Sequence, residues 1–202
     1  VSNVSDEIAQ QDPYNYLVNR QSPRRLAAEY IRDNALALSS LLNTQIGGQS
    51  FFPYQPDGYY GELYPKRQYI HDKGEQQYRR GLYTHVQRTF LHPMLKNFDS
   101  PGREASCSRR SKSNTPLQAL NLLNDPTFLE AALHLALRAQ GEAPQAESQR
   151  LAWLFETVNG RSAKTTELKD LQEYLENEQQ YVAQNPESAQ TFIESAMLQG
   201  DY

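Results

Sequence analysis

The sequence predicts a mainly α-helical fold, a multi-helix orthogonal or antiparallel bundle with a long Tyr/Pro-rich loop and at most a small β-hairpin. Three observations lead there. A small polar or acidic residue followed by proline opens a helical pattern at four places, Ser22-Pro23, Thr115-Pro116, Asp125-Pro126 and Asn185-Pro186. The side-chain oxygen can accept from an unpaired N–H, and proline at the first helical position forfeits no bond that would otherwise form. Behind these starts, apolar residues recur at spacings of three and four. Between Phe51 and Tyr83, by contrast, nine aromatics and Pro53, Pro56 and Pro65 follow no helical period.

After Pro23, residues Ala27, Ile31, Ala35, Leu38 and Leu42 share one face, predicting a long half-buried helix ended by Asn43 and Gly47-Gly48. Residues 51–78 read as a long ordered aromatic loop inserted in the fold. From Leu82 to Val86 the residues alternate, which predicts one short strand paired with Glu62–Tyr64. Thr115 and Gln118 form a capping box ahead of Leu117, Leu120 and Leu123, a short helix that Pro126 interrupts. The next helix carries Leu129, Leu133, Ala136 and Leu137 and is closed by Gly141. Leu151, Leu154, Phe155 and Val158 mark another, stopped by Asn159-Gly160; Leu168, Leu171 and Leu175 mark one more, and Phe192, Ile193, Ala196 and Met197 the last. Short connections make neighbouring helices roughly antiparallel.

The chain of 202 residues suits one domain over its whole length, 1–202. Its hydrophobic content of 38% and mean hydropathy of -0.77 predict a modest core. No apolar run is long enough to span a membrane. The opening VSNVSDEIAQQDP has neither a basic start nor an apolar segment, so no signal peptide is visible in it. Residues 1–140 carry 16 Lys and Arg against 13 Asp and Glu, whereas 141–202 carry 4 against 11. The basic excess is too small for a duplex-binding face, so nucleic acid is not expected as a partner. The acidic C-terminal helices are a solvated face. The single cysteine, Cys107, rules out an internal disulfide and fits either a reducing compartment or an exported domain that needs no staple.

Candidate chemistry concentrates between Asn97 and Asp125. Arg109, Arg110, Lys112 and Asn114 precede the helix at Pro116, where unpaired N–H groups and the helix dipole favour an anion. The alternative is that these cations pair with Asp99, Glu104, Asp125 or another acid of the fold. Cys107 beside them could ionise as a nucleophile with His85 or His92 as base, or else be a buried inert thiol. Arg24 and Arg25 fall in a first helical turn, where positive charge is unfavourable; Glu29, four residues beyond Arg25, is a candidate partner. The tyrosines of the long loop could present platforms for sugar rings, or pin the loop to its own domain. His71, His85, His92 and His134 show no ligand spacing, so no metal is expected, and no cofactor is expected in this chain.

Three runs carry a resemblance: RRLAAEYIRD (24–33), RRGLYTHVQRTF (79–90) and FDSPGREASCSRRSKSNTPLQALNLLND (98–125). In this order, and over nearly the whole chain, they resemble the planctomycete-type domain of unknown function fifteen fifty-three. Gly81 in place of serine, Ser113 in place of threonine, and His85 and Gln87 depart from its usual pattern. The resemblance implies a piece of a larger protein, truncated at both ends, of a kind common in Planctomycetes and Verrucomicrobia. It implies companion domains on the same polypeptide, among them domain of unknown function fifteen forty-nine and, in many members, a c-type cytochrome domain that would hold haem; some carry a sugar-binding module. It further implies export to the periplasm or cell surface. No catalytic residue follows from it. Function is therefore expected to be that of an uncharacterised structural or interaction module binding an anionic or glycan ligand, or alternatively part of a polysaccharide-acting or redox-linked enzyme. Asp99, Cys107 and His85 are the candidate supporting residues in either case.

Overall fold

The computed structural model of the chain describes residues 6–21, 24–56, 59, 69–87 and 90–196. Among them it forms eight α-helices: α1 (Asp6–Gln11), α2 (Ala28–Leu38), α3 (Pro93–Asn97), α4 (Pro116–Asn124), α5 (Pro126–Glu142), α6 (Glu147–Asn159), α7 (Thr165–Gln184) and α8 (Pro186–Ala196). Two short 3-10 turns, Gly74–Tyr78 and Gly81–Tyr83, lie between α2 and α3. No strand occurs among the described residues, so the bundle is helical as the sequence predicts.

Helix α5 is the hub. It packs on α2, α4, α6 and α8, while α7 pairs with both α6 and α8. The core lies where α2, α3 and α5 meet: Ala28, Met94, Leu95, Phe98 and Phe128 pack together, backed by Ile31, Ala35 and Leu91. Phe98 and Phe128 meet edge to face at 6.4 Å. Burial of each large side chain here stabilises the fold by about 1.5–3 kcal/mol. Helices α6 and α7 bury no residue fully, in keeping with their acidic sequence.

Three of the four proline starts are observed, at α4, α5 and α8. Asp125 ends α4 and caps α5, its carboxylate accepting from the Thr127 N–H at 3.0 Å. The fourth start, Ser22-Pro23, lies outside the described residues, and Arg24–Ala27 are not helical. Helix α2 therefore begins later than expected and is also shorter. Ser40, at φ 63°, takes the left-handed position usually given to glycine. Leu41 N–H donates to Leu36 O at 2.9 Å and Ser40 N–H to Ala37 O at 3.1 Å, the paired bonds that close a helix and turn the chain away before Leu42. At Gly141 the sequence reading also stops short, since α5 continues to Glu142; at Gly160, φ 64° ends α6 as expected.

The strand expected over Leu82–Val86 is not formed. Gly81–Tyr83 coils into a 3-10 turn and Thr84 makes only an isolated parallel bridge to Phe51; the expected partner, Glu62–Tyr64, lies outside the described residues. Among the described residues, backbone pairing with Phe51 stops at two bonds, Phe51 N–H to Tyr83 O at 2.9 Å and His85 N–H to Phe51 O at 2.7 Å, and side chains tie the surrounding chain. Gln77 Nε2 donates to Phe52 O at 2.9 Å, and the Arg79 guanidinium donates to Gly47 O and Gln49 O while lying 4.3 Å from the Tyr83 ring. The described part of the aromatic loop is tied to itself and to the chain that follows it: Tyr69 OH donates to Pro53 O at 2.6 Å, and Phe52 stacks on His85 at 4.2 Å.

Candidate functional site

The three sequence runs converge on the first turns of α2. Arg32, 2% exposed, donates through Nη1 to Arg79 O at 2.7 Å and through Nη2 to Gln77 O, and its guanidinium lies 4.9 Å from the Phe51 ring. Burial pulls its pKa down to about 10, partly offset by the charges of Asp33, Asp125 and Glu130, so it stays charged at neutral pH. One turn earlier, Gly81 presses on Glu29: a Cβ there would stand 2.9 Å from Glu29 O and 3.0 Å from Glu29 Cα. A side chain at 81 would force the two segments of this chain apart. The Gly81 N–H donates to Asp33 Oδ1 at 2.5 Å.

The third run closes on the same turn. Arg110 grips Glu29 with both terminal nitrogens, at 2.7 and 3.1 Å. Burial alone would raise the Glu29 pKa, but the hydrogen bonds and charge of Arg110 outweigh it and hold the carboxyl below its usual value. Arg25 lies before the helix rather than in its first turn and donates to Gln118 Oε1, so Glu29 is left for Arg110.

These contacts bound a cavity of about 320 Å³ lined by Ala27, Glu29, Tyr30, Asp33, Arg80, Leu82 and Arg110. Asp33 is half-buried and its pKa is raised, chiefly by burial and least by the Glu29 charge, against the lowering effect of the Gly81 N–H and the nearby arginines. Tyr30 and Leu82 are 58% and 66% exposed.

Of the predicted site residues, Arg110 alone lines this cavity. Arg109, Lys112 and Asn114 are exposed and do not line it. Asp99, at φ 61°, accepts from Ser113 N–H at 2.7 Å and from Ser113 Oγ, bonds that lower its pKa and tie residue 113 to the turn after α3. Cys107 is exposed, not buried, and lies within the electrostatic reach of Arg110. His85 and His92 line a separate small cavity with Phe52, Gln55, Tyr69, Gln87 and Phe90. Among the described residues no group of three or more His, Cys, Asp or Glu could hold a metal ion. Sequence reading missed Tyr30, Asp33, Arg80 and Leu82. The signal lay in the acids Glu29 and Asp33, four residues apart and hence on one face of α2.

The meeting of the three runs on α2 accords with a match between residues 1–175 and the family described as PSD1, protein of unknown function (DUF1553). The chain belongs to this family. In this chain the three runs are joined by direct contacts rather than scattered, and the matched region ends within α7. No curated protein and no solved structure matches the chain.

Proposed function

We propose that this chain is a non-catalytic helical interaction module that docks a companion part of the same exported bacterial polypeptide through the outer face of α4. The observation that carries it is the inversion of that helix. Gln118 is its buried residue, whereas Leu117, Leu120, Leu122 and Leu123 are exposed, Leu123 by 68%. Four exposed leucines on a nine-residue helix are not the scattered apolar residues of an ordinary surface. Leu123 also opens into a groove of about 450 Å³ shared with Leu129 of α5 and with Glu187, Thr191 and Phe192 of α8. Exposed Arg109 and Lys112 lead into α4 and Glu187 stands across the groove. An amphipathic helix with acids at one end and bases at the other complements such a surface.

Four arginines of the three runs, Arg25, Arg32, Arg79 and Arg110, are spent on partners within the chain, which favours a structural role for them. The cavity beside Arg110 is the place where such a module would hold a small ligand. Export and the companion domains rest on the family resemblance.

Maleimide labelling of the full polypeptide tests the docking face. In a Cys107→Ser background, Leu123→Cys is expected to label about tenfold or more slowly than Tyr174→Cys on the open face of α7, because a covered site reacts only after local opening. Equal rates would contradict the proposal. Protection that appears only as protein concentration rises would assign the face to a second copy and contradict it too.

A further inference from the structure

The cavity over α2 holds four groups left available to a ligand. The Arg80 guanidinium makes no hydrogen bond or ion pair among the described residues, and neither does the Tyr30 hydroxyl. Asp33 gives one oxygen to the Gly81 N–H and keeps the other open. Leu82 and the Tyr30 ring supply exposed apolar surface. Glu29 and Arg110, by contrast, satisfy each other in a two-bond pair and add no net charge.

The charges therefore balance, with two cations and two carboxylates among the lining side chains. A strongly anionic ligand would gain Arg80 and meet Asp33. A cation would meet the reverse. A neutral ring bearing hydroxyls fits both, because each hydroxyl can accept from a guanidinium and donate to a carboxylate, while the ring's C–H face covers an aromatic ring. A volume of about 320 Å³ lies at the lower end of small-ligand sites.

We infer that this cavity binds a neutral saccharide, with Tyr30 as platform, Arg80 as donor and Asp33 as acceptor. The inference rests on reading the cavity as a ligand site and adds the ligand class. It places the sugar on α2 and not on the aromatic loop.

Isothermal titration of the full chain with neutral gluco-, xylo- and manno-oligosaccharides, glucuronate and sodium sulfate tests it. At least one neutral oligosaccharide should bind, and Tyr30→Ala and Arg80→Gln should each weaken it by about tenfold, a loss typical of one well-placed contact. Tyr174→Ala, on exposed α7, should leave it unchanged, and unaltered circular dichroism should show that each variant is folded. Binding of glucuronate or sulfate alone, lost in Arg80→Gln, would overturn the saccharide class while keeping the cavity as a ligand site. No binding by any probe, or binding indifferent to both variants, would overturn the inference and the cavity reading together.

Discussion

His92 is buried with one ring nitrogen used and the other idle. Its Nε2–H donates to Tyr54 O at 2.6 Å, and Nδ1 meets no partner among the described residues. Burial, reinforced by the Arg32 charge and opposed by the Tyr54 bond, pulls its pKa from 6.5 to about 4. A proton added at Nδ1 would have no acceptor. Between those two pKa values the unfolded chain binds more protons than the folded one, so stability is full above about pH 6.5 and falls as pH drops towards 4. The loss should be on the order of 3 kcal/mol at the acid end. Urea denaturation of the wild type and His92→Gln across this range should show a flatter profile for the variant. Parallel profiles would show that the proton goes elsewhere.

Helix α4 sets the expected order of polar and apolar positions aside. Gln118, 4% exposed, accepts from Thr115 N–H at 3.3 Å and from Arg25, and donates to Asn97 O at 2.8 Å and Ser113 Oγ at 3.2 Å. Gln118→Leu should cost about 1–3 kcal/mol by stranding these partners, whereas Leu120→Gln on the outer face should change stability by about 0.5 kcal/mol or less. Thermal denaturation of the two variants checks this, and the reverse order would undo the assignment of faces. The capping box was legible in the sequence because both of its halves are local. The direction in which the leucines point was not, because a three-residue repeat of leucine marks a helix face without saying what covers it. Likewise α5 to α8 were readable from period and caps, while α1, α3 and the 3-10 turns are too short to show a period. The strand was misread for a related reason. Alternation at Leu82, Thr84 and Val86 satisfies a two-residue pattern, yet among the described residues the backbone pairing with Phe51 stops at two bonds, Phe51 N–H to Tyr83 O and His85 N–H to Phe51 O, and Gly81–Tyr83 coils into a 3-10 turn.

At the scale of the molecule, contacts distant in sequence decide the site. Arg32 reaches Arg79, Gly81 reaches Asp33 and Arg110 reaches Glu29 across 47, 48 and 81 residues. No local signal announces such pairs, so Arg110 was found as a cation before a helix and its partner was not. The three runs are, in this account, one clamp around the start of α2, with the cavity above it and the leucines of α4 as the outward surface. An exposed ion pair such as Arg110 with Glu29 contributes about 1 kcal/mol or less, so the close approach of Gly81 and the buried Arg32 must supply most of the clamp. Hydrogen exchange on the wild type and Gly81→Ala tests the clamp most directly. The added Cβ must push residues 79–84 off Glu29. Peptides covering 28–38, 77–84 and 107–113 are then predicted to lose protection together while α7 is unchanged; loss confined to 77–84 would contradict the account.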